Sequence, residues 1–226
     1  MPARDLREWI ALLEREGELV RVGAEVDPKL EVTEIVDRTV KAGGPALLFE
    51  RPKGSDVPLL INQFGTERRM CLAFGVSSLD EIADRLGEIL ELQPPEGLAA
   101  KVRGLRTLKS IADSRPKVVK RGACQEIVLR GDDVDLGRLP VQTAWPGDAG
   151  PFITLPAVIT RDPRTGQRNV GMYRMQVLGP RSTAMHWQLH KDGRMDYLAS
   201  GGRMEVAVSI GSDPISSGIV GLRQSD

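Results

Sequence analysis

The 226-residue chain is 41% apolar and balances 31 Lys plus Arg against 31 Asp plus Glu, enough apolar matter for one large or two modest cores and no net charge. With no basic excess to collect phosphates or grip an anionic surface, nucleic acid is not an expected partner. The opening MPARDLREWIALLERE is charged throughout and no run approaches about 18 apolar residues, so neither a signal peptide nor a transmembrane segment is expected and the cytoplasm is the expected location.

In chain order, Asp5 caps a helix whose apolar positions Leu6, Trp9, Ile10 and Leu13 recur every three or four residues, and Gly17 ends it. A short strand over 19–22 follows, then a second amphipathic helix on Val32, Ile35, Val36 and Val40, closed by Gly43-Gly44. The runs 46–50 and 58–62 read as buried strands. Ser78 and Glu81 form a capping box for a further helix with Ile82, Leu86, Ile89 and Leu90 inward, stopped by Pro94-Pro95, and another helix is predicted over 98–112. Cys71 and Cys124 lie far apart without a CxxC partner, so neither a disulfide framework nor a zinc site is expected; both read as buried small hydrophobes.

Beyond Pro116 the composition turns β-branched and turn-rich, with strands predicted over 124–129, 152–160, 169–178, 183–188 and 204–210. A domain boundary therefore falls near residue 116. Asp162-Pro-Arg-Thr-Gly166 is a tight turn that should pair its flanking strands as a hairpin. Gly131-Asp-Asp-Val-Asp-Leu136 lacks the central Gly and terminal Glu of a calcium loop and reads as a solvated turn. Trp145-Pro-Gly147 reads as a second turn, and Glu205 as a lone carboxylate outside any metal site.

The only two histidines, His186 and His190, flank Trp187. On a strand, residues four apart share a face, so both imidazoles and Gln188 could line one cleft; surface or hydrogen-bonded core histidines are the bland alternative. The neighbouring run Arg168-Asn-Val-Gly-Met-Tyr-Arg-Met-Gln-Val177 sets Asn169, Arg174 and Gln176 among apolar residues. An Asn amide oxygen and an imidazole both ligate divalent cations, and a guanidinium grips phosphate or carboxylate in a fork, so an anion or cofactor site is expected; an edge-strand ion pair is the alternative for Arg174. Asn169 and Arg174 would face opposite sides of an ideal strand unless Gly171 seats a bulge.

Three ordered segments carry a resemblance: Gly150-Pro-Phe-Ile-Thr-Leu-Pro156, Asp162-Pro-Arg-Thr-Gly-Gln-Arg-Asn-Val-Gly-Met-Tyr-Arg174 and Met185-His-Trp-Gln-Leu-His-Lys191. Together with Asp5-Leu-Arg-Glu-Trp-Ile10 and Ala46-Leu-Leu-Phe-Glu50, they make the chain resemble the amino-terminal half of UbiD-family decarboxylases, with the bacterial quinone-pathway branch looking nearest. The resemblance implies an α+β protein. A small amino-terminal α/β domain (1–115) precedes a partial antiparallel split β-barrel of flavin-reductase-like type (116–226), and the carboxy-terminal domain is absent.

It also implies prenylated FMN as cofactor, with Mn2+ bridging to its phosphate through Asn169 and His190, and K+ as a further cation. Met172, Tyr173 and Arg174 would lie along the flavin, as would His186, Trp187, Gln188, Lys191 and Asp192. Arg174 would be catalytic, orienting the substrate carboxylate between two glutamates that in the family lie beyond residue 226. The implied substrate is a small aromatic or unsaturated carboxylic acid, the flavin coming from a separate prenyltransferase. The protein would be a homo-oligomer or act with a partner chain, peripheral to the membrane if the substrate is polyprenylated. Because the family's glutamates are missing, a fragment of a longer gene product is expected. A non-catalytic flavin- or phosphate-binding module and an assembly subunit are the alternatives.

Overall fold

A computed structural model of the chain describes residues 3–90, 109 and 118–216. It divides into two compact units, one formed by Met1–Gly75 with Val134–Asp226 and the other by Val76–Asp133. The architecture is mixed α+β, with small three-stranded sheets and no closed barrel among the described residues.

The first unit opens with α1 (Leu6–Arg15), whose Asp5 carboxylate accepts from the Glu8 amide at 2.9 Å, and Gly17 at φ 72° turns the chain into β1 (Leu19–Val26). Helix α2 (Glu31–Lys41) carries the chain across to β2 (Ala46–Pro52), which lies parallel to β1; this is a βαβ unit. Strand β3 (Leu59–Ile61) adds antiparallel to β2 and is half-buried rather than fully buried. Strand β2 is covered on both faces, as parallel strands require: Leu47 and Phe49 pack with Val32 of α2, and Ala46 packs with Trp9 and Leu13 of α1.

Helix α3 (Glu67–Phe74) is an element that the apolar pattern does not predict, although Thr66 caps it through the Arg69 amide and Gly75 ends it at φ 67°. Its Arg69 is 1% exposed. The guanidinium donates to Glu18 at 2.9 Å and to the Gly44 carbonyl at 3.2 Å, which explains how a charge is tolerated there.

In the second unit, α4 (Asp80–Leu90) follows a cap in which the Glu81 carboxylate accepts from the Ser78 backbone amide, as the capping box predicts, and also from the amide and hydroxyl of Ser77. The predicted strand over 124–129 is absent. Ala123–Gln125 is a short 3-10 turn closed by the Gln125 side chain on the Gly122 amide, and 126–129 are exposed, with no strand among the described residues pairing with their backbone groups. Cys71 is buried as expected, but Cys124 is exposed among the described residues, on a 3-10 turn rather than in a packed strand. The stop at Pro94-Pro95 and the predicted helix over 98–112 lie outside the described residues.

The rest of the first unit holds two antiparallel sheets around one apolar core. Strands β4 (Phe152–Ile153), β7 (Met175–Gly179) and β8 (Ser182–Met185) order as β4-β7-β8, while β5 (Ala157–Arg161), β6 (Arg168–Met172) and β9 (Ala207–Ser209) order as β6-β5-β9. The 162–166 turn does close the β5–β6 hairpin, with Gly166 at φ 71° and its amide on the Asp162 carbonyl at 2.8 Å.

Two predicted strands prove to be four. The run 152–160 breaks at buried Pro156, which has no N–H to give a ladder, and its halves join different sheets. The run 169–178 breaks at Tyr173-Arg174 and also switches sheets. Ile153, Val158, Tyr173 and Met175 meet between the sheets, with Trp187 packed against them. Helix α5 (Asp192–Ala199) then lies on β5 and β6. Among the described residues, no helix is long and apolar enough to cross a membrane.

Candidate functional site

The crossing between the sheets positions Asn169 and Met172 on β6 and Tyr173 and Arg174 between β6 and β7. Asn169 sits on β6 opposite Thr160 of β5, a cross-strand pair whose side chains share one face. The Asn169 amide nitrogen donates to the Thr160 hydroxyl oxygen at 3.1 Å, and that hydroxyl donates to Asp196 of α5 at 2.5 Å. Thr160 is 2% exposed and Asp196 6%, so the link is desolvated. The Asn169 amide oxygen has no hydrogen-bond partner among the described residues.

Met172 ends β6, and the chain then turns at Tyr173. The Tyr173 side chain folds back so closely over Gly171 that a Cβ there would lie 2.5–2.6 Å from two ring carbons and the hydroxyl oxygen. Gly171 is therefore required by the returning ring; the change of direction comes from the strand break at Tyr173-Arg174 and not from a bulge at Gly171. The Tyr173 hydroxyl accepts from the Gly193 amide at 3.2 Å, and its ring meets Trp187 edge-on at 6.2 Å, with Tyr197 at 5.5 Å on Trp187. A Cβ on Gly193 would come within 3.2 Å of both rings, so this glycine lets the start of α5 approach them. The Trp187 indole N–H is buried without an acceptor among the described residues.

Arg174 lies in the crossing between β6 and β7, outside either strand. Its guanidinium forms a fork on Asp148, at 3.0 and 3.4 Å, and stacks 3.9 Å over the Phe152 ring. These hydrogen bonds, helped by the Trp145 amide, hold the Asp148 carboxyl below the usual carboxylate range against the opposing pull of burial. Gln176 fixes the same loop by donating to the Ala149 carbonyl at 3.0 Å. The Trp145-Pro-Gly147 turn is present, closed by the Asp148 amide on the Trp145 carbonyl.

The imidazoles do not share the strand face expected of them. Strand β8 stops at Met185, so His186, Trp187 and Gln188 follow in irregular backbone and His190 falls in the turn before α5; the four-residue spacing loses its strand meaning there. Both histidines are exposed, and neither makes a hydrogen bond or ion pair among the described residues. Lys191 caps α5 and Asp192 opens it, where a carboxylate suits the helix N-terminus. The residues that sequence reasoning missed are Thr160, Asp196, Asp148 and Gly193.

Chemically, an amide oxygen and an imidazole suit a hard or borderline divalent cation, and the unsatisfied Trp187 N–H suits an acceptor-rich ligand, so the donor types fit a metal-bridged flavin phosphate. Among the described residues no cluster of three or more His, Cys, Asp or Glu gathers to hold a metal ion.

Comparison with known proteins agrees with this architecture. Residues 10–86 match the 3-octaprenyl-4-hydroxybenzoate carboxy-lyase N-terminal domain, and residues 117–219 match the Rift-related domain of the same carboxy-lyase. An uncharacterised protein of Archaeoglobus fulgidus is 50% identical over 218 residues, which is 95% of this chain and 44% of that protein. An evolved dimeric form of the UbiD-class enzyme HmfF from Pelotomaculum thermopropionicum, solved with prFMN, is 33% identical at a TM-score of 0.74, covering 93% of this chain and 45% of that one. The vanillic acid decarboxylase of Sedimentibacter hydroxybenzoicus is 26% identical at a TM-score of 0.75, covering 99% and 46%. The fold and its flavin-bound neighbours place the chain in the UbiD class. It belongs to the UbiD family, as its amino-terminal and central domains, and spans about half the length of these relatives.

Proposed function

We propose that this chain is the prenylated-FMN-binding portion of a carboxy-lyase that removes carbon dioxide from an aromatic or α,β-unsaturated carboxylic acid without net oxidation. The observation that carries the reading is the Asn169 amide. Its nitrogen is spent on Thr160, and its oxygen is left over on the strand where the family resemblance asks for a metal ligand. In this reading Asn169 and His190 would hold Mn2+, whose charge would offset that of the flavin phosphate, with K+ as a further cation. Met172, Tyr173, Arg174, His186, Trp187, Gln188, Lys191 and Asp192 line the cofactor, Lys191 supplying charge for the phosphate. When bound, the prenylated flavin supplies a ring that accepts the electrons released as carbon dioxide leaves. Arg174 would orient the substrate carboxylate by its planar fork.

The proposal includes an amino-terminal domain over 1–115 and an incomplete split β-barrel over 116–226. It is supported by the family match that begins at 117 and by the two antiparallel sheets sharing one core. A hydroxylated ring acid, in quinone biosynthesis, is the substrate class favoured by the hydroxybenzoate in the family description and by the vanillic acid relative. The dimeric relative supports a homo-oligomer or partner chain. A separate prenyltransferase would supply the flavin, and the enzyme would work in the cytoplasm, at the membrane surface if the acid is polyprenylated.

One observation favours a second reading, a flavin- or phosphate-binding module without turnover: Asp148 already occupies the Arg174 fork that a substrate carboxylate would need. Reconstitution with Mn2+ and prenylated FMN, followed by assay of carbon dioxide release from a panel of hydroxybenzoates and cinnamate-type acids, separates the two. Bound flavin with release supports the enzyme, and bound flavin without release leaves the module. Failure to bind the flavin overturns both.

A further inference from the structure

We infer that Asp196 and Thr160 are positioning residues that decide which end of the Asn169 amide faces the metal, an inference resting on the proposed role of Asn169 as a ligand. An Asn side chain presents an oxygen and an NH2 group of nearly equal size, and only the oxygen ligates a cation. Left free, the amide could point either way.

The hydrogen-bond order in the buried link removes that freedom. A carboxylate has acceptors only, so Asp196 takes the single hydroxyl proton of Thr160 at 2.5 Å. With its proton committed, the Thr160 oxygen can only accept on its other side. It accepts from the Asn169 nitrogen at 3.1 Å, and presenting the amide oxygen instead would set two acceptors against each other. The oxygen is therefore turned away from Thr160, toward whatever sits outside the hairpin. Burial of Thr160 and Asp196 strengthens this choice, because no water competes for the proton.

The same link also reaches the other candidate ligand. Asp196 belongs to α5, and His190 lies in the turn that enters that helix. Tying Asp196 to β5, with the Gly193 amide tied to Tyr173, fixes the helix whose first turn follows His190. These two outer contacts together order both ligand-bearing segments, the arrangement by which partners behind metal ligands tune affinity.

The test is a manganese titration of the purified chain in the presence of FMN, read by the electron paramagnetic resonance of free Mn2+. FMN affinity without metal is measured in parallel by fluorescence quenching, and folding by circular dichroism. Thr160→Val keeps the shape of the side chain but removes the hydroxyl, and it should weaken Mn2+ binding by roughly 10- to 100-fold with metal-free FMN affinity unchanged. Thr160→Ser restores the hydroxyl and should restore binding. If Thr160→Val does not fold, Asp196→Ala, which leaves the Thr160 proton free to turn onto the amide oxygen, should show the same loss.

Asn169→Ala is the control that separates the two claims. Loss of Mn2+ in Asn169→Ala together with wild-type affinity in Thr160→Val or Asp196→Ala would overturn the positioning role while leaving the ligand role intact. Wild-type affinity in Asn169→Ala, or no Mn2+ binding by the unaltered chain, would overturn the ligand role and the positioning role with it.

Discussion

Replacing Gly171 by alanine tests whether the Tyr173 ring really folds back on β6 and shapes the crossing. The added Cβ would lie 2.5–2.6 Å from Cε2, Cζ and the hydroxyl oxygen of Tyr173, a residue only 7% exposed and wedged against Trp187 and Gly193, so the ring has nowhere to yield. Overpacking of this kind costs roughly 1–3 kcal/mol. Displacing the ring also strains the Gly193 amide bond to the Tyr173 hydroxyl, at about 1 kcal/mol. Against these, alanine in a strand recovers roughly 0.5–1 kcal/mol of glycine's excess unfolded freedom. The net expectation is a loss of about 2 kcal/mol. Urea denaturation followed by tryptophan fluorescence should show a lower midpoint at unchanged slope. The decisive comparison is a double-mutant cycle: in a Tyr173→Ala background, Gly171→Ala should be neutral or slightly stabilising, since the ring it strikes is gone. An unchanged midpoint for the single variant, or the same loss in both backgrounds, refutes the packing argument.

Glu18→Ala should cost about 3 kcal/mol in the same assay, because it strands the buried Arg69 charge with only a carbonyl partner; a loss under about 1 kcal/mol would show that Arg69 is neutralised some other way. Arg174→Gln should raise the titration midpoint of Asp148 toward the ordinary value of 3.8, followed by carboxyl NMR. The sign is that of a depressed carboxyl: its contribution to stability is complete above 3.8 and disappears as pH falls through the lower folded value, so the variant should lose stability at neutral pH and show less acid sensitivity below 3.8. An unmoved Asp148 midpoint would mean that the Arg174 fork is not formed in solution.

How far the sequence could be read depended on the range of the interactions. Helices α1 and α2, the alternation into β2, and the β5–β6 turn rest on local signals such as Asp5, Gly17, Gly43 and the Asp162-Pro-Arg-Thr-Gly166 turn, and all of these are legible in the chain. Helix α3 was hidden because Arg69 occupies a buried position and interrupts the apolar period, and its partner Glu18 is 51 residues away. The sheet switches at Pro156 and at Tyr173-Arg174 were hidden for a related reason. Apolar runs on either side of a break read as one strand until the hydrogen-bond partners are known. Of the candidate site, the residue types were legible and their supports were not. Asp196 is buried by a threonine 36 positions away, and Asp148 meets Arg174 across 26 positions; nothing in their immediate surroundings marks either. The histidine spacing misled because four-residue periodicity has meaning only while the strand continues, and β8 ends one residue before His186.

The central claim, that Asn169 and its neighbours form a platform for a metal-bridged flavin phosphate, is met most directly by measuring FMN affinity with and without Mn2+ in the unaltered chain and in Asn169→Ala. If the metal bridges protein and phosphate, Mn2+ and FMN must strengthen each other's binding by the same factor. This factor should be well above one in the unaltered chain and fall to one in Asn169→Ala. FMN affinity indifferent to Mn2+, or a coupling that survives the loss of Asn169, would contradict it.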